Sequence, residues 1–173
     1  MQSSYFTRGD IAMIRPTYYK AQRFFPDKEF EVFSKILGKA EIVSYDAGLN
    51  LSVTIPFINE VDSLDLLLQT SLKPDEQIIA YYKNPLENHV SYLSEAGFEF
   101  CGYDLSEEQT GFSAITNCGG GFEDAIPYSK LNKYGLIQDY DEAFRIGDLL
   151  YELYGDDPHA NCEIYELWRL VSK

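Results

Sequence analysis

Apolar residues recur at helical spacing in some stretches and cluster in β-branched runs in others. Together the two rhythms predict an α+β chain. Phe30, Phe33, Ile36 and Leu37 share one helical face, with Asp27 as N-cap and Gly38 as stop. Residues 41–46 and 51–58 are β-branched-rich runs separated by Ala47-Gly48-Leu49-Asn50, which reads as a hairpin. A short helix through Leu64, Leu67 and Leu68 is opened by Asn59 with Asp62, or by Ser63. Residues 77–82 form a short apolar run, expected as a central strand.

Asn84-Pro85-Leu86-Glu87 has the form of a helix start: a cap, Pro at the first position, an acid at the third. Leu86, Val90 and Leu93 would be the inner face of that helix, and Gly97 its end. Strands are expected at 98–105 and 112–117, joined by an acidic loop at 106–111. The clearest helix is capped by Asp139, with Glu142 three residues on as in a capping box. Ala143, Ile146, Leu150, Leu153 and Tyr154 are expected inward; Asp141, Arg145, Asp148 and Glu152 outward. Gly155 stops it and Pro158 prevents continuation. Ile164, Leu167, Trp168 and Val171 recur at i, i+3, i+4 and i+7, with Glu163, Glu166 and Arg169 between them, which predicts a terminal helix, with a strand as the rival assignment. The sum is a single α+β domain over residues 1–173. A mostly antiparallel sheet of about five strands would be covered by helices, mainly on one face. The segments between strands are too short for a doubly wound nucleotide-binding fold.

Charge changes the picture most. The 173 residues carry a net charge of −14. Residues 1–40 hold seven basic and four acidic side chains, and residues 41–173 hold seven and twenty-four. Between Lys83 and Lys130 there is no Lys or Arg and there are eight carboxylates: Glu87, Glu95, Glu99, Asp104, Glu107, Glu108, Glu123 and Asp124. Such a surface repels nucleic acid and acidic membranes, and it speeds encounter with basic proteins. Acidity for solubility alone is the plain alternative. Fourteen Tyr and eleven Phe add to the interaction reading, since Tyr is enriched at binding surfaces, although most such rings are core.

Three cysteines, Cys101, Cys118 and Cys162, show no paired spacing and suggest reduced thiols in the cytoplasm. The first residues lack a basic stretch followed by an apolar run, so no signal peptide is expected. No apolar stretch approaches the roughly 20 residues of a membrane span.

Candidate chemistry is sparse. Residues 116–122 are Gly-rich, but the P-loop lysine and hydroxyl are missing, and Glu123 and Asp124 follow at once. Cys118 is a candidate nucleophile with His159 as base and Asp157 or Asn161 orienting the imidazole, the pattern of a Cys-dependent hydrolase or deamidase. A buried structural thiol is the plainer role for Cys118. A Cys₃His zinc site from Cys101, Cys118, Cys162 and His159 lacks any Cys-x-x-Cys pair. The pairs Glu107-Glu108 and Asp156-Asp157 read as solvated loop carboxylates. No cofactor and no metal is expected.

The stretches Gly111-Phe112-Ser113-Ala114-Ile115, Asn117-Cys118-Gly119-Gly120, Leu131-Asn132-Lys133-Tyr134-Gly135-Leu136-Ile137, Pro158-His159-Ala160-Asn161-Cys162 and Trp168-Arg169 resemble the small bacterial immunity proteins encoded beside polymorphic or contact-dependent toxins. The resemblance implies a cytoplasmic, non-enzymatic protein that binds and blocks a cognate toxin domain. It carries over no site residues. The charge argument agrees: many toxin domains are nucleases, a nuclease is basic to hold phosphates, and its inhibitor needs the opposite sign. The expected contact residues are Asp104, Glu107, Glu108, Asp141, Asp148, Glu152, Asp156 and Asp157. A DNA mimic would instead space its carboxylates regularly, and this chain shows clusters and gaps.

Overall fold

Four runs rich in Tyr, Ile and Leu pair into one antiparallel sheet. The computed structural model describes residues 15–23, 43, 61–69, 71–87, 89, 91–107, 112–115 and 121–171. Within these, the strands are β1 (Thr17–Gln22), β2 (Glu76–Lys83), β3 (Phe98–Glu107) and β4 (Cys162–Leu170). Their order is β1-β2-β4-β3, and every neighbouring pair is antiparallel. Two helices, α1 (Leu64–Leu68) and α2 (Tyr140–Tyr154), complete an α+β fold. The strand count is four rather than about five among the described residues. The expected helix at 30–37 and the hairpin at 41–58 lie outside them, apart from buried Val43, whose N–H donates to the Tyr134 carbonyl at 3.0 Å.

Both helices cover one face of the sheet. Leu67 of α1 joins Ile78, Ala80 and Tyr82 of β2. Ala143, Ile146 and Leu150 of α2 join Leu105 of β3 and Ile164 of β4. The opposite face packs Tyr19, Ile79, Tyr81, Tyr165 and Leu167 against Tyr134 and Leu136. Neither face of the two central strands is left to solvent, so polar alternation is lost there.

The segment 162–170 is therefore a strand, not the expected terminal helix. Its polar residues are not a solvated helix stripe. Glu166 is buried against Trp168 and His89, and Arg169 pairs with Glu99. A period-3.6 match over eight residues arose from a strand packed on both faces, with Glu166 and Arg169 paired inside the fold.

The helix expected after Asn84 does not form either. Asn84 takes φ 45°, outside the extended region an N-cap requires. Its side chain accepts from the Ile164 N–H at 3.0 Å rather than from its own next turn, and its amide donates to Glu163. No described residue in 84–92 is helical, and Leu86 is 60% exposed instead of inward.

Helix α2 matches its pattern closely. Asp139 accepts from the Glu142 N–H at 3.0 Å. The reciprocal half of the capping box is missing, because the Glu142 carboxylate is taken by Arg145 at 2.8 and 2.7 Å. Leu153, expected inward, is 50% exposed. The 112–117 strand reduces, in its described part, to one bridge between Ser113 and Ser106.

Gly102 sets the geometry of β3. A bulge between Phe100 and Gly102 shifts the register against β4, so Phe100 faces Trp168 and Tyr103 faces Glu166 on the same side. The bulge needs φ +132° at Gly102, where a Cβ would lie 2.8 Å from the Ile137 carbonyl.

Candidate functional site: the carboxylate surface and two histidine–carboxylate pairs

The eight carboxylates expected at a partner surface separate into three groups. Asp141, Asp148, Glu152, Asp156 and Asp157 are exposed on α2 and the turn that follows it. Asp104 and Glu107 are not on the surface: they are 0% and 5% exposed. Glu108 lies outside the described residues. Asp104 is a structural acceptor, taking hydrogen bonds from the Ser113 hydroxyl at 2.6 Å and the Leu105 N–H at 2.9 Å. The sequence predicts Asp104 near the end of a strand and Glu107 in the solvated loop at 106–111, but β3 extends through both, and residues 112–115 fold back along its edge. Ala114 N–H donates to Leu105 O and Glu107 N–H to Phe112 O.

Two other acids, Glu123 and Asp124, join the exposed group. The Tyr154 hydroxyl donates to Asp124 at 3.3 Å, which holds this segment beside the end of α2. Phe122 supports it from within, its ring 5.0 Å from that of Tyr154. The i, i+4 spacing of Asp148 and Glu152 and the run Glu123-Asp124 signal such a patch in the sequence, but nothing there shows that they meet.

The end of α2 is electrostatically unusual. A helix C-terminus is the negative end of the backbone dipole and favours cations. The last turn of α2 contains no basic residue, and Glu152, Asp156 and Asp157 crowd it instead. Two large apolar side chains stand among them: Tyr151 is 65% and Leu153 50% exposed.

His159 sits at the far side of this turn, in a 3₁₀ segment Pro158–Ala160. Its Nδ1 lies 3.4 Å from the Glu107 carboxylate, so the end of β3 abuts the exit of α2. Glu107, rather than Asp157 or Asn161, is the side chain that faces the imidazole. Asp157 instead accepts from the His159 backbone N–H at 2.9 Å. Cys118, the proposed nucleophile, lies outside the described residues.

The other cysteines are poor candidates for chemistry. Burial pushes the Cys101 thiol up to about 12, so it stays protonated at neutral pH. Cys162 directs its sulfur to the His159 carbonyl at 3.2 Å. Cys101 packs in the cluster of one sheet face and Cys162 against the cluster of the other, which separates two of the four ligands of the zinc set. Among the described residues, no group of three His, Cys, Asp or Glu side chains is placed to hold a metal ion.

A second histidine–carboxylate pair is interior. His89 Nε2 lies 3.3 Å from Glu166, and both side chains are nearly sealed from solvent. Glu166 is flanked in register by Tyr82 of β2 and Tyr103 of β3. The indole N–H of Trp168 donates to it at 2.7 Å, and the Tyr103 hydroxyl also bonds to it. Burial raises the Glu166 carboxyl above its usual range, against the opposing pull of Trp168 and His89. Burial, then the Glu166 charge, raises the Tyr103 phenol. The His89 ring meets Tyr82 edge-on at 4.7 Å, and its Nδ1 is 2.8 Å from the Leu86 carbonyl. This cluster holds Leu86 and His89 against the sheet.

No protein-family model, curated protein or solved structure matches the chain. No helix among the described residues is long and apolar enough to cross a membrane.

Proposed function

We propose that the chain is a non-enzymatic immunity protein that binds a cognate toxin domain, a basic nuclease, and blocks its active site. The observation that carries this reading is the outer face of α2. Asp141, Asp148 and Glu152 are exposed there, Asp156 and Asp157 are exposed in the turn that follows, and Glu123 and Asp124 adjoin the helix end. A cationic nuclease cleft is the surface this field would steer. The contact set differs from the one expected from sequence: Asp104 and Glu107 support the fold, and the α2 carboxylates form the contact. Rate and orientation would come from these charges, because desolvation offsets most of their Coulomb gain. Affinity would come from apolar anchors inside the patch.

The test is co-expression. The C-terminal domain of the adjacent upstream open reading frame is produced alone and together with this protein. Toxicity abolished by this protein, with a co-purifying complex, supports the reading. Toxicity that persists under co-expression refutes it for that partner.

One observation favours a second reading, a Cys-dependent hydrolase or deamidase using Cys118 and His159. The half-exposed His159 imidazole faces the buried Glu107 carboxylate, as an oriented general base does. Selective labelling of Cys118 by a thiol reagent at neutral pH, abolished by His159→Ala, would favour it. Labelling no faster than that of a free thiol would remove it.

A further inference from the structure

The last turn of α2 presents Tyr151 and Leu153 to solvent on the two flanks of its outer face, with Glu152 between them. These side chains line one shallow surface hollow that continues through residues 154–157. The inner side of the same turn is already occupied: Leu150 is fully buried, and Tyr154 packs on Phe122. Among the described residues, the core side of this turn is thus filled without Tyr151 and Leu153.

Charge complementarity selects the occupant. Asp148 is one helical turn before Tyr151 and lies beside it on the surface. Glu152, Asp156 and Asp157 line the same hollow as Tyr151, at the negative end of the helix. An exposed aromatic face bordered by carboxylates suits one side chain above others. Arginine is planar, stacks on aromatic rings, and carries five N–H donors in a fork that matches carboxylates. Lysine offers a point charge with weaker stacking and no fork. An anionic ligand is repelled, and a purely apolar one leaves the carboxylates desolvated and unpaired.

We propose that residues 151–157 form a docking site for an arginine-bearing segment of a basic protein. A guanidinium lies on the Tyr151 ring, with its N–H groups directed to the bordering carboxylates. Leu153 supplies apolar surface on the other side of Glu152. This deepens the inhibitor reading by naming the side chain that the partner contributes, and it rests on that reading only for the partner's identity.

The experiment uses the full chain and two labelled probes. One is a short peptide of alternating arginine and glycine, the other the same peptide with lysine at every arginine. Binding is followed by fluorescence anisotropy at low salt. The arginine peptide should bind about two- to fivefold more tightly, the range of one exposed cation–π contact. Tyr151→Ala should abolish that preference, weakening the arginine peptide more than the lysine peptide, while Tyr151→Phe retains it. Glu152→Gln should weaken both peptides alike. Equal affinities for the native chain, a preference that survives Tyr151→Ala, or no binding of either peptide overturns the proposal. Arginine preference lost in Tyr151→Ala without growth rescue by the native chain overturns the inhibitor reading and leaves this site standing. Rescue without arginine preference does the reverse.

Discussion

Glu166 shows how far a residue's role depends on what covers it. In sequence it reads as one acid in a charged helix stripe. In the fold it is the acceptor at the centre of a sheet face, held by Trp168, Tyr103 and His89. Its ordinary value is 4.5, and burial raises it in the folded chain. Between 4.5 and that higher value the folded chain keeps a proton that the unfolded chain has released. Stability contributed by Glu166 therefore falls as pH rises through this window. Trp168 is the only tryptophan, so its fluorescence reports the carboxyl directly. A titration of native fluorescence should show a midpoint above 4.5 that disappears in Glu166→Gln. A midpoint at or below 4.5 contradicts the burial argument. Gly102 is the second residue on which the arrangement depends. Gly102→Ala forces a side chain into φ +132° and against the Ile137 carbonyl. A backbone conformation of this kind costs on the order of 1–3 kcal/mol. Urea unfolding should show at least that loss, and an unchanged midpoint would mean that the bulge is relaxed without glycine. Neither effect was legible in the sequence. Glycine at 102 gives no sign of a bulge until β4 supplies the register.

At the scale of elements, the sequence was most informative where one face of an element meets water. α2 has a polar outer face and a cap. Its bounds, its Asp139 hydrogen bond and most of its inner residues follow from periodicity alone. Leu153 departs from it because the helix leaves the core in its last turn. β2 was equally legible as a short apolar run, and it lies inside the sheet as expected. β4 was misread because both of its faces are buried, and a run without alternation can satisfy a helical template by chance. The 84–92 segment was misread because Asn84 spends its side chain on β4, a contact 80 residues away. The acidic end of α2 carries its own prediction. Carboxylates at a helix C-terminus oppose the backbone dipole, and no base in the last turn offsets them. Glu152→Gln and Asp156→Asn should each raise Tm slightly at low salt, and the gain should shrink as salt is added. A lower Tm in both would mean that these carboxylates stabilise the fold, and would remove the argument that they are kept for a partner. Ile146→Ala at the buried side of α2 should cost about 2–5 kcal/mol in chemical unfolding, as a fully enclosed aliphatic does.

For the whole molecule, the excess of carboxylates is divided between support and surface. Asp104, Glu107 and Glu166 are enclosed, and Glu99 is tied to Arg169 and Tyr134 on the opposite face of the sheet. Net charge announced an acidic protein, but it did not say which acids face solvent. The helix pattern identified the α2 carboxylates, and only the fold removed Asp104 and Glu107 from the contact set. The proposed role depends on the exposed group acting as one field that steers a basic partner. The most direct test is stopped-flow association with the toxin domain across ionic strength. It compares the native chain with a variant carrying Asp148→Lys, Glu152→Lys and Asp156→Lys. The account predicts that the variant associates at least about tenfold more slowly at low salt, with a flattened salt dependence, because electrostatic steering raises association by roughly 10–10³. Equal rates and equal salt slopes for the two proteins would contradict it.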